Sequence, residues 1–286
     1  VMRVGLRFSR KLCIDMLKYS LPLLPSDIAR TLVNASDRFI LKHYMTLADV
    51  GIYSLARKFG AMLHMLVTSP FIQTFLPRRF ELVKRDNARE LFSKIFDYYS
   101  FLVICIAFAI ALFGKEILYV MTTEKYYPAA QLIPLSVLCM VVFGFRYHFD
   151  FGMLYKKKTL LYSKINILSS IINITLNLVL IKKYGAFGAL YALLLTRIVN
   201  TACFYFANQR IYCISFNIMR VLSVLSIAII VYSGSTFIGE YVPLTILIGT
   251  KMVIYLVFVW GAMLLMKFEV KNLKAFFVKN EAEKTC

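Results

Sequence analysis

Asp27, Arg30, Thr31, Asn34, Asp37 and Arg38 sit in a segment, 19–44, that is otherwise largely apolar. Wound as a helix at about 100° per residue, these six side chains fall within an arc of roughly 120°. Turning a charge toward lipid costs from about 2.5 to over 10 kcal/mol, so such a face must meet protein or water. The chemistry it offers is electrostatic. An arginine fork can hold phosphate oxygens bidentately in a low dielectric. The same residues can instead neutralise one another, Asp27 with Arg30 at a three-residue spacing and Asp37 with Arg38. Both readings are open from the spacing alone.

Further cations lie in apolar surroundings. Arg57 and Lys58 fall close to a predicted helix end and can either snorkel to headgroups or bind an anion. Arg146 is four residues from Asp150, a spacing that predicts a local salt bridge. Arg197 has no carboxylate within four residues and needs a partner from another helix, a substrate or water. Lys251 is similarly deep in its segment. The residues expected to contact a ligand are therefore Asp27, Arg30, Asn34, Asp37, Arg38, Arg57, Lys58 and Arg197. Catalysis finds little support: there is no G-x-S-x-G, P-loop or H-E-x-x-H motif, and His43, His64 and His148 are far apart. The six cysteines are scattered without metal or disulfide spacing. No catalytic residue, metal or cofactor is expected.

The elements that must position these groups are membrane helices. Hydrophobic residues make up 60% of the 286 and charged residues 17%, with a mean hydropathy of +0.70, whereas soluble domains carry about 25% charged residues. At about 20 residues per crossing, eight spans are expected, over 19–44, 59–77, 98–114, 126–145, 165–181, 184–209, 221–239 and 241–266. The first is the most polar, and topology argues for it: without that crossing the basic start, 1–18, would lie opposite the basic connection 78–94. With eight spans, most of the 34 lysines and arginines fall on one side. Only Lys42, Lys115, Lys125, Lys182 and Lys183 fall in connections on the other. That asymmetry predicts cytoplasmic termini and accounts for most of the +19 charge without nucleic acid. The pattern around 80–95 reads as an interfacial amphipathic helix, and the basic tail, 267–286, as a stretch that can lie on anionic headgroups. Pro22, Pro25, Pro70, Pro77, Pro128 and Pro134 mark places where helices bend or open.

Tyr19-Ser-Leu-Pro-Leu-Leu-Pro25, Asp37-Arg-Phe-Ile-Leu41 and Asp49-Val-Gly-Ile-Tyr-Ser-Leu-Ala56 follow one another in order. Phe113-Gly-Lys-Glu-Ile-Leu118 and Tyr184-Gly-Ala-Phe-Gly-Ala-Leu-Tyr-Ala192 come after them. Together they resemble the second half of polysaccharide transporter flippases of the multidrug/oligosaccharidyl-lipid/polysaccharide exporter superfamily. The resemblance implies an all-α, polytopic membrane protein: a six-helix lobe over 19–210, then two added helices over 211–266. It implies a cavity lined by the first helix of that lobe and by Arg197 on its sixth. It also implies a substrate, an oligosaccharide on a polyprenyl diphosphate, flipped across the bacterial inner membrane for lipopolysaccharide, capsule or exopolysaccharide biosynthesis. Such transporters have two lobes, so a separate N-terminal half or a second copy is implied as the other wall. Val1 in place of Met fits an alternative start or a frame cut short to a C-terminal half. The partners expected are thus the lipid-linked oligosaccharide, membrane lipids and that other half, with no nucleic acid. Two alternatives remain open, a membrane enzyme of glycan assembly such as a ligase or polymerase, and a non-transporting flippase remnant.

Overall fold

The computed structural model describes residues 9–238 and 244–266, with the side chains of Asn34, 237–238 and 244–247 excepted. The basic tail expected over 267–286 lies outside the described residues. Every regular element is helical. In order these are α1 (Arg10–Ser20), α2 (Leu24–Tyr44), α3 (Leu47–Leu63), α4 (Ser69–Leu82), α5 (Ala88–Met121), α6 (Ile133–Phe149), α7 (Phe151–Tyr155), α8 (Thr159–Ile211), α9 (Ile218–Ile238) and α10 (Leu244–Leu265). Among the described residues, six helical stretches are long and apolar enough to cross a membrane: 47–82, 88–121, 124–155, 159–211, 218–236 and 248–265. The chain is a multi-pass, all-α membrane protein.

The counts of six stretches and eight expected spans differ for two physical reasons. The first is that α8 doubles back on itself at Gly185, whose φ of 57° and ψ of −132° break the helix in a conformation that only glycine adopts without strain. Its two legs, each about 39 Å at 1.5 Å per residue, pack antiparallel. Asn173 Nδ2 donates to Thr196 Oγ1 at 3.2 Å and Asn200 Nδ2 to Ser169 Oγ at 2.8 Å. Such polar contacts hold helices together where lipid offers no hydrophobic drive. The second reason is α2, which is 21 residues long but carries Asp27, Arg30, Asp37, Arg38 and Lys42 along its length and is too polar to count as an apolar stretch.

Local sequence sets the ends. Thr46 caps α3 in a reciprocal pair, its hydroxyl accepting from the Asp49 amide at 3.2 Å while the Asp49 carboxylate accepts from the Thr46 amide at 3.0 Å. A 3₁₀ turn at Leu21–Leu23, carrying Pro22, separates α1 from α2. The Pro22 carbonyl accepts a hydrogen bond from Ser163 at the start of α8.

The packed interior runs through Leu41, Tyr53, Leu63, Phe96, Val103, Leu112, Val141, Leu190 and Phe204. Helix α6 is central, touching α3, α5 and α8, while α2 lies along α8. Helices α9 and α10 pack on each other and on α5. One expectation fails. No separate interfacial helix covers 80–95: α4 runs to Leu82 and α5 starts at Ala88 and continues into its span. The apolar spacing there instead buries Ala88, Phe92 and Ile95 against Phe75, Phe151 and Ile214, so the periodicity serves packing at the end of the bundle.

Candidate functional site

Five helical segments converge on a cavity of about 350 Å³. Arg30 and Val33 of α2 line one side, and Arg57 and Ala61 of α3 with His64 line another. Met140, Phe143 and Arg146 come from α6. The two legs of α8 supply Asn166, Ser169, Ser170 and Asn173, then Leu193, Thr196, Arg197 and Asn200. Four arginines thus face one space, and among the described lining residues there is no aspartate or glutamate.

Each guanidinium is held differently. Arg197 donates from Nη1 to the Cys139 carbonyl at 2.8 Å, with Met140 Sδ at 3.0 Å, and lies over the Phe143 ring at 4.5 Å. Arg146 donates to Tyr162 Oη at 2.9 Å and Asn166 Oδ1 at 3.3 Å. The rings of Phe143, Tyr147, Tyr162 and Phe204 surround it at 5.1–5.7 Å. Arg57 keeps a buried Nη1 that has no hydrogen-bond partner among the described residues. Arg30 pairs with Asp27 at 3.0 Å, with about half of each side chain exposed. Two of the four charges, those of Arg146 and Arg197, are therefore held by aromatic faces, carbonyls, a hydroxyl and an amide, which orient a cation without cancelling it.

The residues expected at the site are not all brought together. Arg30, Arg57 and Arg197 line the cavity, and Asp27 sits beside it through Arg30. Asp37 does not pair with Arg38. It is fully buried, accepting from Tyr53 Oη at 2.9 Å and Asn177 Nδ2 at 2.8 Å, and it pins α2 to α3 and α8. Arg38 and Lys58 are exposed and do not line the cavity. The reason is phase. The inward face of α2 is centred on Ser26, Asp37 and Leu41, so Arg30 at one edge of the polar arc turns in. Asp27, Thr31 and Arg38, some 80–120° further round, turn out. The Asn34 side chain lies outside the described residues.

The local pair expected between Arg146 and Asp150 does not form. Asp150 instead takes Arg79, 71 positions away, at 2.6 Å, and Arg79 also donates to the Tyr147 carbonyl at 3.2 Å. Sequence reasoning thus missed Arg146 as a cavity residue. Its only signal was the same as that of Arg197, a cation on an apolar helix, and the nearby carboxylate masked it. Lys251 is paired with Glu116 at 2.6 Å and donates to the Leu112 carbonyl at 2.9 Å, joining α10 to α5 away from the cavity. The cysteines among the described residues are free.

Residues 1–131 match the model of a family described as polysaccharide biosynthesis protein, a stretch that includes Arg30 and Arg57 but is less than half of the chain. No curated protein and no solved structure matches the chain. What the comparisons give is therefore a similarity, over the first 131 residues, to proteins that build polysaccharides.

Proposed function

We propose that this chain takes part in polysaccharide biosynthesis as a transporter rather than an enzyme, exporting an oligosaccharide carried on a polyprenyl diphosphate across the inner membrane. The observation that carries the reading is the cavity with four arginines and no lining carboxylate. A diphosphate brings about two negative charges, and desolvated arginines are the side chains best suited to hold its oxygens. Aligned hydroxyl and amide groups on the two legs of α8 give the sugar hydrogen-bond partners, while the prenyl chain stays in lipid. The similarity of residues 1–131 to polysaccharide biosynthesis proteins supports the pathway.

Alternating access needs two bundles about one site. The exposed Asp27, Thr31 and Arg38 on α2 are costly toward lipid, which favours a second wall, a separate N-terminal half or another copy of this chain. The products served are lipopolysaccharide, capsule or exopolysaccharide. The test is translocation of a fluorescent sugar on prenyl diphosphate in vesicles, with the other half co-expressed, comparing the native chain with Arg30→Ala and Arg197→Ala. Both substitutions are expected to slow it, and unchanged rates in both defeat the proposal.

A further inference from the structure

Residues 47–82 form one helical rod whose hydrogen-bond ladder changes in the middle. After α3 the segment His64–Thr68 is a π turn, in which the Ser69 amide donates to the His64 carbonyl five residues back. The cause is local. Pro70 has no N–H to give the Leu66 carbonyl, and its ring collides with that carbonyl in a regular α-helix; widening the turn relieves the collision. A π turn carries one extra residue, so its position sets the rotation, about 100° per residue, of everything on one side of it against the other.

The two halves of the rod have different attachments. Above the turn, Arg57, Ala61 and His64 face the arginine cavity. Below it, the fully buried Arg79 is clamped to Asp150 at 2.6 Å. The inner side of the turn is held by buried Val67 and Thr68, the latter sharing a hydrogen bond with Tyr99 Oη at 3.0 Å, whereas on its outer side Met65 and Leu66 are 74% and 60% exposed. π turns inside α-helices are frequently found at functional sites, and kinks at prolines.

We infer that the His64–Thr68 π turn is a hinge through which occupancy of the cavity controls α4, an inference that rests on the proposed function above. His64, the first residue of the turn, lines the cavity beside Arg57 and Arg197. An anion held by Arg57 and Arg197 next to His64 therefore favours the present register of the turn and the closed Arg79–Asp150 clamp, by its difference in affinity between the two states. Emptying the cavity releases α4 to pivot. From the turn to Glu81 is about 18 Å, so a change in kink of about 20° carries residue 81 by roughly 6 Å.

The experiment places spin labels at Glu81→Cys and Lys157→Cys, both exposed positions, with the six native cysteines replaced. The full chain is reconstituted in nanodiscs, and binding of inorganic diphosphate is measured alongside by calorimetry. Without diphosphate two distance populations about 6 Å apart are expected, and saturating diphosphate collapses them onto one. In Pro70→Ala, where the regular ladder can close, diphosphate still binds but the distribution no longer responds. Binding without any change in the native distribution overturns the hinge and leaves the proposed function standing. Absence of binding overturns both. A Pro70→Ala chain that responds as the native one does also overturns the hinge. If that variant fails to fold, the native measurement decides alone.

Discussion

Arg197 offers the sharpest numerical test of the cavity. A guanidinium has five N–H donors, and acceptors among the described residues engage only Nη1, through the Cys139 carbonyl and Met140 Sδ. That leaves the Nη2 and Nε edge as a fork for two oxygens of one phosphate. A hydrogen bond to a charged group contributes about 1.5–3 kcal/mol, so Arg197→Ala is expected to weaken diphosphate binding roughly 10- to 150-fold. Arg197→Lys keeps the charge and loses the planar fork, and its affinity should fall between those of the native chain and the alanine variant. The assay is calorimetric titration of inorganic diphosphate into the chain in nanodiscs, with thermal unfolding as a control, because the Cys139 carbonyl loses its donor. Equal affinities for the native protein and Arg197→Ala, with folding intact, refute the reasoning. Equal affinities for the lysine and native forms refute the part that depends on a fork.

Two structural predictions follow from the same contacts. Asp150→Asn leaves the charge of Arg79 buried with 1% of its side chain exposed and should cost about 3–5 kcal/mol, read as a fall in thermal midpoint in detergent; replacing both partners by leucine should recover much of that loss. At Gly188 an added methyl would sit 2.0 Å from the Leu180 carbonyl oxygen across the hairpin, so Gly188→Ala should cost about 1–3 kcal/mol or more, and a midpoint within one degree of the native protein would show that the legs are not packed as described.

The helices were largely legible in the sequence, because a span of apolar residues long enough to cross lipid has few alternatives to a helix when every backbone group must be satisfied internally. The hairpin within α8 was legible from the break between 181 and 184. Around 80–95 the apolar spacing was correct but its partner was not, since a helix face looks the same whether it meets headgroups or Phe75 and Phe151. The site was legible in part. Arg197 stood out as a cation with no carboxylate within four residues and Arg57 as one that could snorkel or bind an anion, and both line the cavity. Arg146 was hidden by Asp150, because spacing along one helix cannot reveal that Arg79 will arrive from α4 to claim that carboxylate.

The sequence by itself determined that this is a helical membrane protein, that its cations are placed against lipid rules, and that α2 must have a polar face. Only the tertiary structure decided which cations share a space. The chemistry of one side chain is intrinsic and readable residue by residue, but Arg30, Arg57, Arg146 and Arg197 come from four helical segments. Their convergence depends on the rotation of each helix against its neighbours. That phase is set by packing: Asp37 locked between Tyr53 and Asn177 turns Arg30 inward and leaves Arg38 outside. Hydrophobic pattern constrains such a rotation loosely, and close contact between helices fixes it.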